Sequence, residues 1–287
     1  MSVKRIKISL FLALFVSLGY GEGLATFENL GAPSVLKNGI YRSLGIYGGY
    51  YHYGEVRHGG ERIMRMDTIM LGLSAQLGLA ASNGIKLESS ARLNYALGLY
   101  SGGILDTDNP SRNGQTLHSI TGAIAADVEL KGGYALMRNA QSTLYLQSGL
   151  GYHLNRTEVL AMDRIQGYLY IPFELEGQYL LTQRKSFDYG VGYRYLIVGN
   201  HFSATSKYGF TSDYRVNQTS GFGLSAFVGS SFIKDGVLRS LRLVYEYWHI
   251  GAAEPFTTTN AFSGNPATLY EPGNSTHRLF VQYSYGF

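Results

Sequence analysis

The stretch Leu279-Phe-Val-Gln-Tyr-Ser-Tyr-Gly-Phe287 decides how the chain must be read. Its odd positions, Leu279, Val281, Tyr283, Tyr285 and Phe287, are all apolar or aromatic, whereas the even positions after Phe280 are Gln282, Ser284 and Gly286. Successive side chains of a strand point to opposite faces, so a period of two gives this segment one greasy and one polar face. As a free edge of a soluble sheet, five such side chains would invite aggregation. The pattern suits a strand with lipid on one side and a polar interior on the other.

The same alternation recurs upstream. Leu87, Ala91, Leu93, Tyr95, Leu97 and Leu99 share one parity against Glu88, Arg92 and Asn94, and Tyr189, Val191, Tyr193, Tyr195 and Ile197 oppose Arg194. Pattern and turn residues predict about ten strands, at Ser43–Val56, Met66–Ala80, Ile85–Tyr100, Ser119–Tyr134, Ser142–Leu154, Gln166–Leu180, Phe187–Gly199, Ser220–Phe232, Ser240–Ile250 and Thr276–Phe287. Short links (Ser82-Asn-Gly84, Arg138-Asn139, Arg184-Lys185, Lys234-Asp-Gly236) alternate with longer polar ones at Ser101–Leu117, Asn155–Ile165, Asn200–Thr219 and Gly251–Ser275. The fold class expected is all-β: a transmembrane, antiparallel, up-and-down barrel of about ten strands, with eight or twelve left open.

Composition agrees. The chain is 45% hydrophobic yet only 15% charged, with 37 Gly and 24 Tyr. No stretch after the N-terminus is apolar enough to span as a helix, so strands with one apolar face meet both facts. The net charge of +4 includes Lys4, Arg5 and Lys7 and gives no reason to expect a nucleic-acid partner. Absence of Cys excludes a lipid-modified cysteine and any disulfide.

Lys4, Arg5 and Lys7 precede the apolar run Ile8–Val16 and the small residues Ser17, Gly19, Gly21 and Gly23, the order of a secretory signal peptide. Residues 1–21 are therefore expected to be a Sec signal, 22–42 a periplasmic lead-in, and 43–287 the barrel. The final residues resemble the outer-membrane β-barrel proteins, whose last strand ends in an aromatic residue. That resemblance implies that Leu279, Val281, Tyr283, Tyr285 and Phe287 are read by the barrel-assembly machinery. It also implies a Gram-negative outer-membrane location with both termini periplasmic, among outer-membrane lipid and lipopolysaccharide.

The polar parity gathers Glu88, Arg92, Asp127, Glu129, Lys131, Glu174, Glu176, Arg194, Arg242 and Glu246 inside. A barrel of about ten strands is barely wider than its own side chains, so these should pair and fill it; a narrow channel is the alternative. In size and strand number the chain resembles the omptin proteases. Their Asp-x-Asp finds a counterpart in Asp106-Thr-Asp108, but no Asp-x-His exists. His201-Phe-Ser203 resembles the His and Ser of the lipid A deacylases, although Ala204 replaces their Asn; as loop residues the two are expected to be solvated. No catalytic, metal or cofactor-binding residue is assigned, and the His residues show no ligand spacing on one face, except that His249 stands near others. Aromatics in the last two long loops suit glycan or protein contacts. The expectation is a non-enzymatic surface protein with a side-chain-filled lumen, against a porin-like channel or an outer-membrane hydrolase.

Overall fold

The computed structural model describes residues 35–56, 60–103, 110–112, 114–159 and 162–287. Among the described residues thirteen strands run in chain order: β1 (Gly39–Val56), β2 (Arg62–Ala80), β3 (Ile85–Gly103), β4 (Thr116–Arg138), β5 (Ser142–Val159), β6 (Met162–Thr182), β7 (Lys185–Ser203), β8 (Tyr214–Gln218), β9 (Gly221–Lys234), β10 (Val237–Ile250), β11 (Phe256–Thr259), β12 (Pro266–Leu269) and β13 (Gly273–Gly286). Ten of them form the ring β6-β5-β4-β3-β2-β1-β13-β10-β9-β7, which a β6–β7 pairing closes. Closure leaves the ten-strand ring without a free edge, the condition for strands to cross hydrocarbon. β8 extends the ring position of β9: β7 pairs with β9 through Tyr195 and with β8 from Gly199.

The outward parity is a belt of bare hydrocarbon. Ile69, Leu71 and Leu73 of β2 are 72%, 71% and 62% exposed, and Leu93, Leu97, Leu130, Val191, Leu243, Leu279 and Val281 continue the belt around the ring. Water would leave this surface unburied; lipid covers it. Leu279, Val281, Tyr285 and Phe287 are exposed on this face and Tyr283 partly so. Phe287 is tied down by Arg42, whose Nε donates to the Phe287 carbonyl at 2.7 Å while its guanidinium stacks on the ring.

One end of the barrel carries tight turns, and β1 starts and β13 ends there. Asp235 and Gly236 both have positive φ (54° and 75°), the backbone of a two-residue hairpin turn that suits Asp-Gly. At the other end the strands run further than the alternation suggested, because inward polar residues extend them above the belt. The Asn155–Ile165 link is mostly strand, since β5 reaches Val159 and β6 starts at Met162. The stretch 200–219 contains the end of β7 and all of β8, and 251–275 contains the β11–β12 hairpin. β1 begins at Gly39, inside the stretch expected as lead-in. The signal-peptide residues lie outside the described residues.

Candidate functional site

The inward parity fills the lumen in layers. At the short-turn end, Lys37 enters ahead of β1 and sits 2.8 Å from Glu176 and 3.3 Å from Glu88. Lys86 pairs with the same two acids, and Lys131 bonds Glu174 at 2.6 Å. Arg242 stands 3.4 Å from Asp188 and 3.6 Å from Glu176.

Half-way up, Arg278 of β13 donates two hydrogen bonds to Asp127 of β4, at 2.8 and 3.1 Å, and lies 2.8 Å from Glu246. Arg92 and Arg194 converge on the other oxygen of Glu246 at 2.7 and 2.8 Å. Across these two layers Lys37, Lys86, Lys131, Arg92, Arg194, Arg242 and Arg278 face Glu88, Glu129, Glu174, Glu176, Glu246, Asp127 and Asp188, one acid for each base. Buried charge is tolerable only when paired and hydrogen-bonded, and this set is neutral as a whole. A polar cavity of about 130 Å³ remains among Glu88, Arg92, Arg194, Arg242 and Glu246.

Above the ions lies an aromatic layer. Trp248 packs against Tyr168, Tyr170 and His153 with ring centroids 5.6, 5.0 and 6.1 Å apart. Arg194 lies beneath, 5.5 Å from the indole and 5.6 Å from the Tyr170 ring. Gly151 makes room for Tyr170, because a Cβ there would overlap the phenol ring. A Cβ on Gly223 would press on the indole at 3.0 Å.

At the mouth the longest connection reaches back in. Glu271 accepts hydrogen bonds from Arg164 at 2.8 Å and Gln166 at 3.1 Å, and its amide donates to the Tyr214 hydroxyl at 2.7 Å. Arg164 also donates to Glu55 at 2.6 Å, from the strand diametrically opposite β1 in the ring. Burial, helped by the neighbouring Glu55 carboxylate and opposed by Arg164, pushes the Glu271 carboxyl up to about 8. His201 stands at the top of β7 above the belt, where Asn200 and Asn217 bond each other on the outer face. Burial and the charge of Arg164 hold its imidazole well below the usual histidine range. His201 Nε2 is 2.7 Å from Ser203 Oγ and 3.1 Å from Glu271 Oε2.

All ten residues expected in the lumen lie there and each is ion-paired. Sequence reasoning missed Lys37, Lys86, Asp188 and Arg278, and the whole mouth cluster of Glu55, Arg164 and Glu271. Parity could have found three of these: Lys86 matches Glu88, Asp188 matches Arg194, and Arg278 continues the even positions of the last strand. The expectation that His201 and Ser203 are solvated loop residues is corrected. Both are buried at the end of β7 and face inward, not toward lipid. Asp106 and Asp108 lie outside the described residues.

The closed ring, the outward belt and the ionic interior make the fold that of the Gram-negative outer-membrane β-barrels. Among solved structures it is similar to the outer-membrane protease OmpT from Escherichia coli, at 11% identity over 86% of this chain and 96% of that one, with a TM-score of 0.56. More distant are an outer-membrane channel from Pseudomonas putida F1 (11% identity, 91% and 100% covered, TM-score 0.38) and the β-domain of the Bordetella autotransporter BrkA (12%, 87% and 100%, 0.38). Neither a protein-family model nor a curated protein matches the sequence.

Proposed function

We propose that this chain is an exported, non-enzymatic barrel of the bacterial outer membrane, closed along its lumen, which works through adhesive contacts made by the platform at its long-connection end. The observation that carries the reading is a pre-built apolar tip on that platform. Thr211 N–H donates to the Thr259 carbonyl at 2.9 Å and Ala261 N–H to the Gly209 carbonyl at 2.7 Å, so the 204–213 and 251–272 connections are zipped together. Tyr214 packs on Phe256 at 5.7 Å, and Phe262 at the hairpin tip is 71% exposed, away from the lipid belt. A rigid surface loses little entropy on binding.

Two further observations support the reading. Ion pairs and stacked rings cross the lumen at successive heights, which disfavours a channel. Among the described residues, the group around His201 is not arranged as a hydrolase triad: Ser203 and Glu271 meet the same nitrogen of His201, whose Nδ1 has no partner among them, whereas an acid that orients a catalytic imidazole must hold the opposite nitrogen. With short turns and termini on the periplasmic side, as bacterial barrels are built, the platform faces outward. Its surroundings are then outer-membrane lipid and lipopolysaccharide, and the barrel-assembly machinery would read the last strand.

Cells displaying the protein should adhere to a glycan- or protein-coated surface better than cells carrying Phe262→Asp at equal display. Equal adhesion would overturn the reading. Wild-type protein in a planar bilayer should show no unitary conductance; steady steps would favour the channel.

A further inference from the structure

On the outer face of the β1–β13 seam, the cross-strand pairs toward the mouth read Gly48 with Val281, Tyr50 with Leu279, His52 with His277, and Gly54 with Ser275. The two imidazoles thus stand directly opposite each other, immediately above the last apolar pair. Their ring centroids are 5.8 Å apart.

The protein holds both rings by the same atom. His52 Nδ1 is 2.7 Å from Asp67 Oδ1, on the β2 side. A carboxylate only accepts, so Nδ1 carries the proton and Nε2 keeps its lone pair. Asp67 is itself fixed by the Tyr50 hydroxyl, which donates to the same carboxylate at 2.5 Å, and by Arg65 at 3.3 Å. His277 Nδ1 is 2.8 Å from the Tyr245 hydroxyl, on the β10 side. A phenol oxygen can accept as well as donate; in the tautomer with the proton on Nδ1, which metal binding would select, the second Nε2 keeps its lone pair as well. Each Nδ1 is turned away to a flanking strand, so the Nε2 atoms are left toward the shared seam. The pair above them is the small Gly54 and Ser275, and a Cβ on Gly54 would already lie 3.5 Å from His52 Nε2.

We infer that His52 and His277 form a surface site for a divalent transition-metal ion, bound through both Nε2 atoms, with Asp67 and Tyr245 orienting the ligands from behind. The spacing suits this. With Zn–N bonds of about 2.0–2.1 Å, two rings on one ion have centroids about 5–6 Å apart. A carboxylate behind a histidine is the usual means of fixing the ligating nitrogen and raising its basicity, and imidazole favours Zn²⁺, Cu²⁺ and Ni²⁺ over Ca²⁺ or Mg²⁺. Among the described residues no cluster of three or more His, Asp or Glu side chains forms a metal cage, so the site supplies two ligands and water completes the shell.

The test uses the full mature chain, purified in detergent without a histidine tag and titrated with Zn²⁺ by calorimetry. One ion per barrel should bind. His52→Ala and His277→Ala should each weaken it at least about tenfold and Asp67→Asn by about tenfold, whereas His249→Ala should leave it unchanged. With Cu²⁺ as the probe, electron paramagnetic resonance should show coupling to two nitrogens. These side chains face outward, so unchanged circular dichroism and heat-modifiable migration would show the variants still folded. No uptake by the wild type, or uptake and a two-nitrogen spectrum that persist in the His52→Ala/His277→Ala double variant, would overturn the proposal.

Discussion

Arg164 of β6 and Glu55 of β1 stand 2.6 Å apart although their strands lie on opposite sides of a ten-membered ring. Two side chains therefore span the bore at the mouth. Both are largely buried, so the pair sits where losing one partner costs more than the pair itself contributes. Glu271 sits on the same guanidinium at 2.8 Å, so Arg164 serves two acids at the mouth.

Arg164→Ala should consequently lower the unfolding free energy by roughly 3–5 kcal/mol, because Glu55 loses its counter-charge and Glu271 loses a hydrogen-bond donor. The double variant Glu55→Ala/Arg164→Ala should be less damaged than the sum of its singles. Trp248, the one tryptophan in the chain, is buried in the lumen and reports unfolding by fluorescence in urea. Strictly additive losses would mean the two groups do not interact.

The acid–base balance at the mouth should show in a pH titration. Glu271 moves from an ordinary value of 4.5 to about 8 in the folded chain. Between those values the folded form holds a proton that the unfolded form has released, so stability from this group is complete below about 4.5. It declines as pH rises toward 8 and is flat beyond. His201 acts in the opposite direction at acid pH, since it stays neutral when folded. The difference between wild type and Glu271→Gln removes that contribution. Hydrogen exchange of the 251–272 connection, corrected for intrinsic rates, should rise with pH over this window in the wild type relative to the variant. Parallel curves would refute the assignment.

Arg278 bridges Asp127 and Glu246 in the middle layer. Arg278→Ala should cost about 3–5 kcal/mol. Arg278→Lys should recover only part of it, because an ammonium cannot reproduce the two-pronged bond to Asp127. Full recovery with lysine would show that charge alone matters. Urea unfolding in lipid vesicles would measure both.

A methyl group at Gly151 should act like a wedge against Tyr170, whose hydroxyl donates to Glu129 at 2.8 Å. Gly151→Ala is expected to cost about 1–3 kcal/mol. Gly132→Ala, on the outward face, meets only Leu87 at 3.4 Å and should be nearly silent. Equal effects would contradict the packing described.

Much of this architecture was legible from period-two alternation, since Leu93, Leu97 and Leu99 could face only one way once Glu88 and Arg92 faced the other. The lumen acids and bases followed from the same parity. The mouth did not. Glu55 lies among tyrosines of both parities, so β1 showed no clean pattern there, and Glu271 sits outside any strand. His201 looked like a loop residue because an extra residue in β7 at Ile197, opposite Leu169 and Tyr170, shifts the register and turns the odd positions from outward at Tyr195 to inward at His201. Lys37 could not be placed from sequence because its partners Glu88 and Glu176 belong to distant strands. Contacts across the bore depend on ring order, which local pattern does not encode.

The pairing of Ser43 with Gly286, and of the thirteen residues that follow Ser43 with the C-terminal strand, joins segments more than two hundred positions apart. Until that zipper forms, the first and last strands each expose unpaired amides and carbonyls. The nascent chain must therefore be kept from self-association until its last residues arrive. Slow maturation is built into such non-local topology, and a truncated translation product would be left as an open ribbon, a natural target for proteolysis.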